Sequence, residues 1–186
     1  MHRRGAFLQR KSEHAILFFA PFVSSTMRAE PGWIDYNGHL NMAYYGVLFD
    51  RAVEEAWTRL GMGADYVAER NLSTFAAQAH TAFRREIGLI DAVRVTMQLV
   101  AHDEKRMHMW SEMRHAQEGW LAATCESLHL HVDLSTRKVT PFPPDVLAAL
   151  AAMKAAHGRL PRPAELGATI GLSRPQTSAQ RSRALN

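Results

Sequence analysis

The stretch WIDYNGHLNMAYYGVLFDRAVEEAW, residues 33–57, joins a cluster of hydrogen-bonding side chains to a segment with helical spacing. Positions 35–41 hold one aspartate, two asparagines, one glycine and one histidine. Asn41 is a favourable N-cap, and Gly61 stands where a C′ glycine is expected, so the pattern predicts a helix over residues 42–60. The apolar residues that recur every three or four positions are Tyr45, Leu48, Phe49, Ala52, Val53, Ala56 and Leu60.

After this helix the apolar residues follow a period of two, which is typical of strands with one buried face. Four segments show this period, and the short polar joints between them favour hairpins and therefore an antiparallel sheet. The expected buried residues are Phe75, Ala77, Ala79, Phe83 and Ile87 in the first segment, Val93, Val95, Met97, Leu99 and Ala101 in the second, Met107, Met109 and Met113 in the third, and Leu128, Leu130 and Val132 in the fourth. The residues expected on the polar face of the fourth segment are Ser127, His129 and His131.

The remaining elements complete an α+β order of strand, long helix, four strands and terminal helix. Residues 22–33 suit a first strand interrupted near Pro31 and Gly32, and a helix is predicted from Pro144 to Gly158. No glycine-rich phosphate loop follows any of the strands, which argues against a nucleotide-binding α/β sheet.

The length of 186 residues suits one domain with tails. We expect a poorly ordered extension over residues 1–21, a folded domain over 22–158, and a largely disordered tail over 159–186, which is rich in Pro, Ser, Gly and Arg.

Charge and composition narrow the class of protein. The net charge of +4 is partly carried by basic ends, which we interpret as solvated tails, so no nucleic-acid partner is expected. No apolar run approaches the roughly 18–20 residues of a membrane span, and the short run AILFFAPFV lacks a signal-peptide cleavage site.

The single cysteine, Cys125, cannot form an internal disulfide, which is consistent with a cytoplasmic protein. We interpret Cys125 as a packing residue, since no Cys–His motif accompanies it.

Residues 35–45, DYNGHLNMAYY, resemble the Asp-x-x-Gly-His-x-Asn signature of hot-dog acyl-CoA thioesterases of the 4-hydroxybenzoyl-CoA thioesterase type. The segments HDEKRMHMWSEM, LAATCESLHLHVD, VTPFPPDVLAAL and PRPAELGATIGL are similar to the betainyl-CoA thioesterase branch, which is linked to carnitine degradation. The resemblance implies a long helix wrapped by an antiparallel sheet of about five strands, followed by a C-terminal helix. It also implies an acyl-CoA substrate, no cofactor, and a homodimer or homotetramer.

The resemblance gives the signature residues roles in thioester hydrolysis. Asp35 would act as nucleophile or general base, with His39 and Asn41 as further catalytic candidates. The backbone amides around Gly38 and Met42, at the N-terminus of a helix, could stabilise an oxyanion. Each residue also has a structural interpretation, since Asp35 could cap a turn, His39 could orient the loop and Asn41 could cap the helix.

Substrate-binding candidates surround the signature. Trp33, Tyr36 and Tyr45 could contribute aromatic faces to a quaternary ammonium group, and His80 could contact substrate from a second subunit. The alternatives that remain open are a general short-chain or aromatic acyl-CoA thioesterase and a non-catalytic acyl-CoA-binding protein. Two pairs of strand histidines lack a third ligand at a suitable spacing, so no metal site is predicted.

Overall fold

The computed structural model of the chain describes residues 20–172, and its long elements follow the order that the sequence predicts. The helices are α1 (Met42–Arg59), α2 (Ala64–Arg70) and α3 (Pro144–His157), with a short 3-10 helix at Pro31–Trp33. The strands are β1 (Phe22–Val23), β2 (Met27–Arg28), β3 (Leu72–Phe83), β4 (Ala92–His102), β5 (Arg106–His115), β6 (Leu121–Asp133) and β7 (Lys138–Val139). The strand expected over residues 22–33 is divided into two short strands, and the interruption expected near Pro31 and Gly32 is the 3-10 helix.

All strand pairs of the sheet are antiparallel, and the main path runs β1-β4-β5-β6-β3. The short strands β2 and β7 pair with β4 and β6. Helix α1 and the inner face of this sheet contribute side chains to one core. The α+β arrangement of a long helix on an antiparallel sheet with five strands in its main path and a C-terminal helix is confirmed.

Helix α1 begins and ends as its sequence predicts. The Asn41 side chain accepts a hydrogen bond of 3.0 Å from the Ala43 N–H, and Gly61 follows the helix with φ of +73°. Leu48 and Ala52 have no exposed surface, so the apolar stripe of the helix is its buried face.

Strands β4 and β5 supply the centre of the core. Val93, Val95, Met97 and Leu99 are fully buried, and so are the three alternating methionines of β5, Met107, Met109 and Met113. The predicted buried faces of these two strands are therefore confirmed, except that Ala101 is exposed beyond a register shift between Leu99 and Ala101.

Strand β3 does not keep one apolar face along its length, so that prediction is wrong. A register shift between Ala76 and Gln78 exchanges the two faces of the strand. Phe83 therefore contacts the Tyr45 ring of α1 edge-on, whereas Phe75 pairs with Leu130 and is 42% exposed.

The predicted orientation of β6 is also wrong along most of the strand, although Val132 is buried as predicted. His129 and His131 point into the core, whereas Leu128 and Leu130 are only partly buried. The polar face can be buried because each histidine finds a partner there, which the period-two pattern alone does not reveal. The Nε2 atom of His129 lies 3.0 Å from the Ser127 hydroxyl oxygen.

His131 ties three separate elements together. Its Nδ1 lies 2.9 Å from the Thr140 carbonyl oxygen, and its Nε2 lies 2.7 Å from the Tyr66 hydroxyl oxygen. A carbonyl oxygen only accepts, so Nδ1 carries the proton and Nε2 accepts from the tyrosine. Burial raises the pKa of Tyr66 to about 12, so this hydroxyl remains a donor at neutral pH.

We expect Tyr66→Phe to lower the free energy of unfolding by about 1–3 kcal/mol, because it leaves the buried His131 Nε2 without a donor. Urea unfolding followed by circular dichroism measures the change. Tyr36→Phe removes a hydroxyl from a side chain that is 98% exposed and serves as the matched control. Equal stability of the two variants would contradict the assigned role of this hydrogen bond.

The segment after α3 crosses the sheet on the face opposite α1, here called the outer face. The Glu126 carboxylate accepts a hydrogen bond of 2.7 Å from the Gly167 N–H, and Glu165 forms an ion pair with Arg84. Residues 159–172 therefore contact the sheet, although the sequence predicts no core for the tail. Residues 173–186 of that tail, and 1–19 of the expected N-terminal extension, lie outside the described residues.

Within residues 20–172, no helix combines the length and apolar character that crossing a membrane requires.

Candidate active site

The signature residues form a tight loop that enters α1. Ile34 and Leu40 make an antiparallel bridge, and between them the Asp35 N–H donates to the His39 carbonyl at 3.0 Å. The Gly38 N–H returns to the Asp35 carbonyl at 3.0 Å. Gly38 has φ of +85°, a conformation in which a side chain would be strained, so glycine is required to close this turn.

The carboxylate of Asp35 is held by the residue two positions later. One oxygen accepts a hydrogen bond of 2.8 Å from the Asn37 N–H, and the other lies 3.4 Å from the Asn37 side-chain amide. This is an Asx turn, so the structural role considered for Asp35 is realised. The side chain remains partly exposed at the edge of a cleft, so it is also accessible for chemistry.

Two hydrogen bonds fix where α1 begins. The Leu40 N–H donates to the Ile87 carbonyl at 2.7 Å, and the Asn41 N–H donates to the Trp33 carbonyl at 2.9 Å. In the part of the chain that the structure describes, the Met42 N–H has no hydrogen-bond acceptor. Because Met42 also lines the cleft, this amide at the positive end of the helix can donate to a bound oxyanion.

The cleft is open and has a volume of about 1020 Å³. The signature loop forms one wall of the cleft. The other wall is formed by the end of β3 and the segment that follows it, through Phe83, Arg84, Arg85, Glu86, Gly88 and Asp91. Glu86 lies 3.7 Å from the His39 imidazole and connects the two walls. No motif in the sequence marks this second wall as part of the site, although the charged run RRE after an alternating strand marks the place where the strand ends.

Tyr45 lies beneath the cleft with its ring 5.0 Å from Phe83. Its hydroxyl donates to the Arg85 carbonyl at 3.4 Å. Burial is the main cause that raises the pKa of Tyr45, so the hydroxyl stays protonated at neutral pH. Tyr45 therefore presents a neutral aromatic surface and a fixed donor rather than a base.

Residues 29–150 match the model of the thioesterase-like superfamily. The chain belongs to this superfamily. It is a thioester hydrolase of the hot-dog fold.

Two relatives of this thioesterase-like protein have named activities. A betainyl-CoA thioesterase of Pseudomonas aeruginosa is 34% identical over 76% of this chain and 89% of its own length. An L-carnitine dehydrogenase/betainyl-CoA thioesterase of Rhizobium meliloti is 32% identical over 79% of this chain. The match covers 29% of that longer protein.

A solved structure supports the fold. A Staphylococcus aureus protein, determined in complex with CoA, superimposes with a TM-score of 0.77 at 24% identity. The match covers 84% of this chain and 98% of the other.

The structure brings most, but not all, of the candidate residues of this thioesterase-like protein to one cleft. The candidates that line it are Asp35, Tyr36, Gly38, His39, Asn41, Met42 and Tyr45. Trp33 is not among the lining residues, because its ring is stacked on Tyr44 at 5.0 Å and lies under the Arg51 guanidinium at 4.8 Å. The aromatic cage considered for Trp33 is therefore not assembled within the described chain.

His80 lies in a second, smaller cleft of about 410 Å³ on the outer face. Its neighbours there include His108 and Glu126, and the His108 Nε2 lies 2.7 Å from a carboxylate oxygen of Glu126. A contact of His80 with substrate from a second subunit stays a prediction. Within residues 20–172, no cluster of three or more side chains suited to holding a metal ion is present.

Cys125 is buried in the core rather than exposed in either cleft. Burial raises the pKa of its thiol, which disfavours the nucleophilic thiolate. Both observations agree with its interpretation as a packing residue.

Asn41 accepts the Ala43 N–H, so its side-chain oxygen is engaged as a helix cap. We expect Asn41→Ala to reduce the free energy of unfolding by about 1 kcal/mol, whereas Asn41→Asp, which keeps an acceptor, has a smaller effect. Denaturant unfolding and thioester turnover are measured on both variants. A loss of turnover in Asn41→Asp at unchanged stability would instead assign Asn41 a direct role in catalysis.

Proposed function

We propose that this protein hydrolyses acyl-CoA thioesters in the cleft between the signature loop and residues 83–91, and that betainyl-CoA is its substrate. The observation that carries the proposal is the partly exposed Asp35 carboxylate lining the same cleft as Met42, whose N–H has no acceptor within residues 20–172. The names of the two betainyl-CoA thioesterase relatives suggest betaine as the acyl group. The S. aureus protein in complex with CoA supports CoA as the thiol that carries it.

The chemistry requires a carboxylate and an oxyanion donor, and the cleft offers both. Either the Asp35 carboxylate attacks the thioester carbonyl, or it removes a proton from a water molecule that attacks. In both routes negative charge develops on the carbonyl oxygen, and the Met42 N–H, which has no acceptor within residues 20–172, is available to stabilise it. If Asp35 attacks, cleavage of the carbon–sulfur bond releases the CoA thiolate and leaves a mixed anhydride on Asp35, which water then hydrolyses to the free acid while the Asp35 carboxylate is restored. If water attacks, Asp35 takes its proton, the carbon–sulfur bond breaks to give the free acid directly, and that proton passes to the leaving thiolate.

The charges of the cleft favour a cationic acyl group. In a betainyl thioester, a single CH₂ separates the trimethylammonium nitrogen from the reacting carbonyl, so the cation must lie close to Asp35. Glu86 and Asp91 line the same cleft and add negative charge. The aromatic candidates that line the cleft are Tyr36, whose side chain is 98% exposed and can face the cation, and Tyr45, whose ring lies beneath the cleft.

A panel of acyl-CoA esters assayed for thiol release tests the proposal. The decisive pair is betainyl-CoA and 3,3-dimethylbutyryl-CoA, which replaces the quaternary nitrogen by carbon and keeps the shape. Two opposite unit charges about 4 Å apart attract each other by about 1 kcal/mol in water and about 4 kcal/mol near a protein surface, so we expect kcat/KM for betainyl-CoA to be about 10-fold higher. Butyryl-CoA and benzoyl-CoA complete the panel.

The panel separates the alternatives. Equal rates for the charged and uncharged isosteres would refute cation selection and leave a general short-chain thioesterase. A preference for benzoyl-CoA would indicate an aromatic thioesterase. Absence of thiol release from every ester, with retained CoA binding by calorimetry, would indicate a non-catalytic acyl-CoA-binding protein.

The exposed edge of β3 supports assembly of two or more chains. β3 spans 12 residues and is the last strand of the main path of the sheet. Within residues 20–172 it pairs with β6 along one edge, and no strand pairs with its other edge. An uncovered edge of this length favours pairing with another strand. We propose that two copies pair here, as a homodimer or as part of a homotetramer, and sedimentation velocity distinguishes both from a monomer.

A further inference from the structure

Arg85 differs from the other arginine of the cleft in its partners. Arg84 and Arg85 both line the cleft, but the Arg84 guanidinium forms an ion pair with Glu165. Within the described residues, no carboxylate lies within ion-pair distance of Arg85. Arg85 thus brings an uncompensated positive charge to the wall opposite the signature loop.

The position of this guanidinium is set by Trp120. The central carbon of the Arg85 guanidinium lies 4.2 Å from the centre of the Trp120 ring. Such a contact holds the cation by the ring and uses none of the guanidinium N–H donors. The donors remain available to a ligand, and the long side chain loses less freedom on binding because it is already oriented.

The hairpin between β5 and β6 in turn fixes Trp120. Its ring is stacked on His115 at 4.9 Å with an interplanar angle of 12°, and its indole N–H donates to Glu118 at 2.9 Å. The His115 imidazole reaches across to Asp91, which also lines the cleft, with 3.7 Å between nitrogen and oxygen. A chain of contacts therefore runs from Asp91 through His115 and Trp120 to Arg85.

The backbone beneath Arg85 is fixed as well. The N–H groups of Arg84 and Arg85 both donate to the Ala122 carbonyl, at 2.8 and 3.1 Å. The Arg85 carbonyl accepts the Tyr45 hydroxyl. These bonds anchor the residue where β3 leaves β6, so its side chain can project into the cleft from a rigid support.

We propose that Arg85, held on Trp120, binds a phosphate group of the CoA carrier, and that Trp120 is a positioning residue for it. A guanidinium presents paired N–H donors that match two phosphate oxygens, and such charge-assisted pairs are among the stronger hydrogen bonds. The acidic groups of the cleft suit the acyl end, whereas Arg85 suits the anionic nucleotide end. This inference rests on the proposed function, since it requires a CoA thioester to enter this cleft.

The test compares a full CoA thioester with the pantetheine thioester of the same acyl group, which lacks the nucleotide phosphates. For Arg85→Gln we expect KM for the CoA thioester to rise about 10- to 100-fold with little change in kcat. The pantetheine thioester should be hydrolysed by the variant and the wild-type protein with the same kcat/KM. The KM for the CoA thioester should also rise with salt in the wild-type protein, and less so in Arg85→Gln.

Two further variants complete the design. Arg59→Gln removes the same charge from an exposed residue at the far end of α1, roughly 26 Å from Met42 by helical rise, and should leave both substrates unaffected. Trp120→Leu should raise KM for the CoA thioester, and Trp120→Phe, which restores an aromatic face, should recover part of the loss. A purely structural role of Trp120 would lower the activity toward both thioesters alike.

Calorimetric measurement of free CoA binding tests the role of Arg85 without requiring that any ester be hydrolysed. Weaker CoA binding by Arg85→Gln, with unchanged pantetheine binding, supports the assignment even if no ester is hydrolysed and the proposed function fails. Equal losses for the CoA and pantetheine thioesters, or no change for either, would overturn it while leaving the hydrolase function intact. A wild-type protein that binds no CoA would overturn both.

Discussion

Replacing Asp35 with asparagine is expected to reduce kcat for the preferred acyl-CoA by about 10³-fold or more, with little change in KM. Asparagine has the same shape and keeps an oxygen that accepts the Asn37 N–H, so the turn is preserved. It lacks the negative charge that attack on a carbonyl or activation of water requires, and loss of such a group typically costs about 10²–10⁴-fold or more. Thiol release under steady-state conditions measures the effect.

The matched control for Asp35→Asn is Asp50→Asn, which makes the same change on the exposed side of α1. The control should retain wild-type kcat, and both variants should unfold at the same denaturant concentration as the wild-type protein. Turnover that survives in Asp35→Asn would remove Asp35 from the mechanism. Mass spectrometry of rapidly quenched reactions then separates the two routes, because only nucleophilic attack leaves the acyl group on Asp35.

Lowering the pH from about 6.5 to about 4 is expected to remove about 3 kcal/mol of folding free energy through His129 alone. Burial lowers the pKa of this histidine from 6.5 to about 4, because the charged form is poorly solvated beside Trp57. Between these two values the unfolded chain binds a proton that the folded chain does not, so stability falls as the pH falls. Above pH 6.5 both states hold a neutral imidazole, so the full stability is present. Each unit by which the pKa differs between the folded and the unfolded chain corresponds to about 1.4 kcal/mol.

Urea unfolding at pH 7.5, 5.5 and 4.5 measures this dependence. His129→Gln should flatten the curve across this range, whereas His102→Gln, at the partly exposed end of β4, should keep the wild-type slope. NMR titration of the wild-type protein provides an independent measurement, in which the His129 ring stays neutral at pH 5. An unchanged slope in His129→Gln, or a charged ring at pH 5, would contradict the assignment.

The elements that sequence alone determined are those whose signals are local. Helix α1 has its cap at Asn41, its apolar stripe and its terminating Gly61 within about twenty consecutive residues. The buried faces of β4 and β5 follow from uninterrupted alternation over most of each strand. The Asp35–Asn41 loop was likewise recognisable, because its composition and spacing resemble a known signature.

The tertiary structure decided the features that depend on contacts between residues far apart in the sequence. A single register shift in β3 reversed the face of every residue beyond it, and the pattern of side chains gives no warning of that shift. His131 is buried because Tyr66, 65 positions earlier, supplies a donor. The second wall of the cleft meets the signature loop through the Leu40–Ile87 hydrogen bond and the Glu86–His39 contact, both of which join residues more than 40 positions apart. Capping and periodicity act between neighbours in the chain, whereas burial of a polar group and closure of a cleft depend on residues that only the fold brings together.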